Sequence, residues 1–157
     1  IKTHKIEIYG EIAYAVFTFL LTKAPRYKQI SLDNVLEHLE HPLQVMEEIH
    51  RILKPYSTVK VIVPYFRSAY AFHDPTHKHF FTVESFSYYD PKHPICIRYD
   101  YTDARFNIEK IVFNEELNNR IIIKLFKAFA NIFPRFYERY FSHLVPMDDI
   151  TFILSKV

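Results

Sequence analysis

Glycine is almost absent: among 157 residues there is one, Gly10. Phosphate-cradling loops need several glycines so that backbone N–H groups can approach an anion. A Walker loop and an ordinary G-x-G-x-x-G dinucleotide fingerprint are therefore excluded, as are collagen-like and Gly/Ser-linker architectures. Cysteine is equally scarce. Cys96 alone excludes a disulfide framework and a cysteine-based zinc knuckle, which makes a reducing, cytoplasmic setting the default expectation. Neither sign of charge dominates, since 20 Lys+Arg face 18 Asp+Glu for a net charge of +2. That balance gives no mandate for nucleic acid or an anionic membrane. No apolar run reaches the ~20 residues of a membrane-spanning helix. The longest, Ile12 to Leu21, is interrupted by Tyr14 and Thr18 and bounded by Glu11 and Lys23; it reads as a buried helix.

What is present is core-forming material: 15 Phe, 12 Tyr and 49% hydrophobic residues are incompatible with disorder. The length suits one domain spanning residues 1–157. Lys5 to Tyr9 alternates as a strand, Glu11 to Thr22 reads as a helix closed by Pro25, and Tyr27 to Leu32 as a second strand. Strand, helix, strand is a right-handed βαβ unit. Asp33 to Glu40 begins a new helical stretch, Pro42 opens a helix over Leu43 to Leu53, and Thr58 to Val63 is a buried strand. Tyr65 to Pro94 is irregular and rich in aromatics and histidine. Ile95 to Tyr101 and Arg105 to Phe113 alternate as strands. Glu115 to Phe133 reads as an amphipathic helix with Leu117, Ile121, Leu125, Ala128, Phe129 and Ile132 inward. A helical piece over Arg135 to His143 and a strand over Ile150 to Leu154 complete an α/β order, a sheet flanked by helices. Near the C-terminus Arg120, Lys124, Lys127, Arg135 and Arg139 are interleaved with aromatics, and a solvated helix face is a simpler reading than a nucleic-acid or lipid surface.

The stretch Ile30 to Pro64 reads ISLDNVLEHLEHPLQVMEEIHRILKPYSTVKVIVP. Its order of strand, "NVLEHL.HP", helix ending "RILKP", strand and "VP" resembles the second half of class I S-adenosylmethionine-dependent methyltransferases. The run HDPTHKHFFTVESF, His73 to Phe86, is similar to a loop of the family's small-molecule branches, and the resemblance covers roughly Tyr27 to Val157. It implies a reduced doubly wound, mostly parallel, Rossmann-like sheet with a C-terminal antiparallel strand. The family's glycine-rich loop has no counterpart here. In the family sheet the second and third strands lie outside the first. Without them the first strand would run through one helix directly to the fourth, with Ile6–Tyr9 beside Ile30–Leu32 and Tyr9-Gly10-Glu11 standing where the glycine loop belongs. That strand would be an exposed edge, open to pairing in a homodimer.

The resemblance implies S-adenosylmethionine as cofactor, contacted by Gly10, Glu11, Leu32, Asp33 and Asn34, since ligands bind at the carboxyl ends of parallel strands. Asp33 or Asn34 acting only as a helix cap is the competing reading. Methyl transfer chiefly needs in-line positioning; where an acceptor must lose a proton, Glu37, His38 and His41 are within reach as bases, or else are solvated and capping residues near a helix end. His73, Asp74, His77 and His79 form the densest ligand-like cluster. Their spacing matches no established metal motif, so no metal is expected and they are assigned to a lid over the substrate pocket. Phe80 and Phe81, with Phe72, Phe86, Tyr88 and Tyr89, would pack that lid or wall the pocket. Two functions stay open: methyl transfer to a small-molecule acceptor, or a catalytically silent scaffold with an interaction role.

Overall fold

The computed structural model describes residues 5–9, 27–114 and 121–157. The expected helix over Glu11 to Thr22, with Gly10 and Glu11, lies outside them. Five strands, β1 (Lys5–Tyr9), β2 (Tyr27–Asp33), β3 (Leu53–Pro64), β4 (Phe106–Asn114) and β5 (Asp149–Lys156), form one sheet in the order β1-β2-β3-β5-β4. β1, β2 and β3 run parallel, with Ile6 opposite Ile30, Tyr9 opposite Asp33 and Ile30 opposite Val59. β5 inserts antiparallel between β3 and β4, so that Val61 and Ile111 both face Phe152. Ile6–Tyr9 thus lies beside Ile30–Leu32 as expected, and among the described residues β1 has that one neighbour.

The central strands are buried because their side chains are. Val59, Val61 and Val63 of β3, Ile30 and Leu32 of β2, and Ile150, Phe152 and Leu154 of β5 have at most 1% of their surface exposed. Each such side chain contributes about 1.5–3 kcal/mol on leaving water. Helix α1 (Pro42–Ile52) covers the sheet with Met46, Ile49 and Ile52. It starts on Pro42, whose fixed φ suits a first helical turn. It stops at Ile52 because Pro55 bars helical geometry from the residue before it. β3 then starts at Leu53, earlier than Thr58, with a register shift against β2 between Tyr27 and Gln29.

Three expectations need correction. Ile95 to Tyr101 is not a strand: Pro94–Tyr99 is helix α3, following the short helix α2 (Tyr70–His73). Pro94 sits in the first turn, the Ile95 amide donates to His93 Nδ1 at 3.3 Å, and Asp100 closes the helix in a left-handed conformation, φ 44°. Asp33 to Glu40 contains only a single 3₁₀ turn, Leu36–His38, because Asp33 stays in β2 and Asn34 takes φ 51°, which no right-handed helix admits.

The inward face of the long helix is also different. Helix α4 (Ile121–Ile132) exposes Ile121, Leu125, Ala128 and Ile132 and buries Ala130, with Phe126 and Phe129 partly covered; Leu117 lies outside the described residues. The helix is rotated so that Asn131 reaches the edge of the sheet, accepting the Phe113 amide through Oδ1 at 2.6 Å and donating to the Phe113 carbonyl through Nδ2 at 3.3 Å. Helix α5 (Pro134–Tyr140) follows, burying Tyr137 and exposing Phe136 and Tyr140.

Candidate functional site

Parallel strands β2 and β3 end at Asp33 and Pro64, and antiparallel β5 begins at Asp149, directly opposite Pro64. Three strand ends thus share one rim of the sheet. A cavity of about 550 Å³ opens there. The exit from β2 supplies Asn34, Glu37 and His38, and β3 supplies Pro64. Tyr70 and His73 come from α2, Asp74, Pro75 and His77 from the loop after it, and Asp149 from β5.

The local chain path follows from two constraints. The Asn34 amide donates to the Ile62 carbonyl at 3.0 Å, extending the β2–β3 ladder one residue while its left-handed backbone turns the chain away. Asparagine tolerates that conformation better than most residues. Val35 and Leu36 then plug the core, with 2% and 1% exposure. That leaves Glu37 fully buried at the cavity wall, with neither side-chain oxygen hydrogen-bonded.

Burial pushes the Glu37 carboxyl up to about 7, and the negative charges of Asp149, Asp33 and Asp74 add to the rise; the dipole of its own backbone amide acts the other way. Opposite it, Asp74 is held below its ordinary value by the hydroxyl and amide of Thr76, both of which donate to Asp74 Oδ1, at 2.7 and 2.8 Å. Because that hydroxyl spends its hydrogen on Asp74, the contact between His38 Nδ1 and Thr76 Oγ1 at 2.8 Å has the imidazole as donor. His77 Nδ1 donates to the Ala71 carbonyl at 3.1 Å, and the His38 and His77 rings meet edge to face with centroids 4.7 Å apart.

The sequence-derived candidates divide clearly. Asn34, Glu37, His38, His73, Asp74 and His77 converge on the cavity. Leu32 is core, with 1% exposure, and Asp33, though at the end of β2, is not among the lining residues. His79 turns away and donates through Nε2 to the Leu39 carbonyl at 2.8 Å. Of the two roles expected for the aromatics, walling the pocket is not seen among the lining residues. Phe80, half exposed, stacks on Phe72 within the segment that carries His73 to His79, and Phe81, Phe86 and Tyr89 belong to the core. His41 stands at the N-cap of α1.

Sequence reasoning missed Pro64, Tyr70, Pro75 and Asp149 as lining residues. For Asp149 a signal existed. An antiparallel strand beside β3 must begin where β3 ends, and Asp149 immediately precedes the expected strand.

No family model and no curated protein matches the chain. Solved structures do. A SAM-dependent methyltransferase from Archaeoglobus fulgidus superposes over 98% of this chain and 86% of its own, with a TM-score of 0.58 at 15% identity. The chain has the class I S-adenosylmethionine-dependent methyltransferase-like fold. A complex between the Haloferax volcanii Trm112 methyltransferase activator and a methyltransferase gives 0.52 at 13% identity, covering 99% and 83% of the two chains. A protein described as a methyltransferase from Bacillus halodurans C-125 gives 0.52 at 11%, covering 99% and 92%. At these identities the likeness is one of fold. It agrees with the order in which β1, β2 and β3 run parallel and β5 enters antiparallel.

Proposed function

We propose that the cavity is the acceptor end of a methyl-transfer site that uses S-adenosylmethionine and acts on a small molecule with an ionisable hydroxyl or similar group. The observation that carries this reading is position: on a methyltransferase-like fold, the cavity opens at the carboxyl ends of β2 and β3, where open α/β sheets bind ligands. Its volume, about 550 Å³, lies in the range of small-molecule sites. Among the described residues, three carboxyl groups, Glu37, Asp74 and Asp149, line it and no Lys or Arg does. That donor set fits a cationic ligand.

S-adenosylmethionine, when bound, supplies an activated methyl group on a sulfonium. Asn34, with Asp33 beside it, would hold the polar end of the cofactor, and β1 ends opposite Asp33 on the same rim. The protein's remaining work is orientation and proton removal. A buried carboxyl whose ordinary value of 4.5 has risen to about 7 is matched to accept a proton from an acceptor near neutral pH. His73, Asp74 and His77 close the cavity from the other side and shield the reacting groups from water.

The competing reading, a silent scaffold, is favoured by the single glycine, because the family's glycine-rich loop is missing. Isothermal titration with S-adenosylhomocysteine separates the two. Saturable micromolar binding, weakened by Asn34→Leu, supports methyl transfer. No heat at high ligand concentration leaves the scaffold.

A further inference from the structure

The wall of the cavity carries a second arrangement with its own chemistry. A carboxylate taken out of water without a donor is costly, and proteins relieve that cost by protonation or by a cation. Glu37 is such a group: it is fully buried and both its oxygens are unpartnered. Two imidazoles, of His38 and His77, stand close to it. One potential ligand atom from each of Glu37, His38 and His77 lies within 4.8 Å of those of the other two.

The outer contacts of both rings set their tautomers. A carbonyl only accepts, so His77 Nδ1, 3.1 Å from the Ala71 carbonyl, carries the hydrogen. His38 Nδ1 likewise carries one, donated to Thr76 Oγ1. In the neutral rings this leaves Nε2 as the acceptor of each. A backbone carbonyl on one ring and an Asp-Thr pair behind the other are the outer partners that orient metal-binding histidines.

We propose that Glu37, His38 and His77 bind a divalent first-row transition ion, such as cobalt, zinc or manganese, with its remaining positions open to the cavity. Two imidazoles and one carboxylate suit these ions better than calcium or magnesium, which prefer oxygen. Ligand atoms about 2.1 Å from a common ion lie within about 4.2 Å of one another, so a small inward rotation of the side chains completes the set. The expectation of no metal rested on the spacing of His73, Asp74, His77 and His79; of those, only His77 takes part, joined by two residues from the turn after β2. An acceptor hydroxyl entering the cavity would meet the ion, and the ion rather than the Glu37 carboxylate would then favour its ionisation. That consequence rests on the methyl-transfer reading; the binding itself does not.

The test uses untagged protein freed of metal with a chelator, then titrated with Co²⁺ and followed by visible absorption and calorimetry, with Mg²⁺ as the comparison ion. One equivalent of Co²⁺ is expected to bind at micromolar concentration or below, with absorption bands of nitrogen and oxygen ligation and with Mg²⁺ at least tenfold weaker. Glu37→Gln and His77→Ala are each expected to weaken Co²⁺ binding by about tenfold or more, whereas His143→Ala, at an exposed position away from the cavity, leaves it unchanged. Circular dichroism checks that each variant folds, and His77→Gln replaces His77→Ala if the latter does not. Absence of a saturable equivalent, or equal affinity in all three variants, overturns the proposal. A parallel titration with S-adenosylhomocysteine keeps the two readings apart: Co²⁺ binding without it supports the metal site and removes the methyl-transfer reading, and the reverse result removes the metal site alone.

Discussion

The backbone oxygen of Glu37 accepts the amide of Lys78 at 2.7 Å, joining the turn after β2 to the loop that follows α2. The His79 amide approaches the same oxygen at 3.3 Å, the His79 ring donates to Leu39, and Lys78 pairs with Glu40. These contacts hold the roof of the cavity against its floor. They place His73, Asp74 and His77 opposite Glu37 without a regular element in the loop.

Thr76 ties the same two segments through side chains, accepting from His38 and donating to Asp74. Thr76→Val is expected to destabilise the protein by about 1 kcal/mol and to speed hydrogen exchange at Lys78 and His79 while the β3–β5 amides keep their protection. Unchanged exchange at Lys78 and His79 would contradict this role.

Glu37 makes stability depend on pH. Its carboxyl rises from an ordinary 4.5 to about 7 on folding, so the folded state binds the proton more tightly than the unfolded chain. The stabilisation is complete below about pH 4.5 and is lost as pH rises through about 7, in total about 3 kcal/mol. Denaturant titrations of chelator-treated protein between pH 4 and 8, run on wild type and Glu37→Gln, check this. The variant is expected to lose that downward slope; an identical slope in both proteins would contradict it.

Lys156 on β5 donates to the carbonyls of His50 at 2.5 Å and Leu53 at 3.0 Å, satisfying oxygens at the end of α1 that no helical amide reaches. Lys156→Met keeps the stem and removes the donors. It is expected to cost about 1 kcal/mol, read as a lower denaturation midpoint with an unchanged slope.

Asn131 covers the edge of the sheet at Phe113 with both ends of its amide. Asn131→Leu keeps a similar size and raises helix propensity but strands two polar groups, and about 1–3 kcal/mol of stability should be lost. The Phe113 amide should exchange faster in the same variant.

Much of the sheet was legible because its strands are marked by β-branched alternation. TVKVIV and ITFIL became the buried centre of β3 and β5, and KIEIY pairs in parallel with β2, Ile6 opposite Ile30. The misreadings have physical causes. Ile95 to Tyr101 alternates, yet Pro94 and the His93 cap make it helical. The stretch after β2 has helical composition, but Asn34 leaves the helical region and Glu37 is tied to Lys78. The face of α4 was misjudged because apolar residues surround the helix, and one polar contact, Asn131 to Phe113, decides its rotation. At the site, Asn34, Glu37, His38 and His77 were visible in two separate motifs. That they meet depends on the loop contacts just described, which no spacing within either motif contains.

The central claim is that the cavity at the ends of β2 and β3 receives the cofactor and its acceptor. Amide chemical shifts of ¹⁵N-labelled protein, recorded during titration with S-adenosylhomocysteine, test it most directly. The account predicts saturable changes centred on Asn34, Glu37, His38 and Asp149, with β4 and α3 unaffected. Saturable changes confined to other surfaces, or none at all, would contradict it.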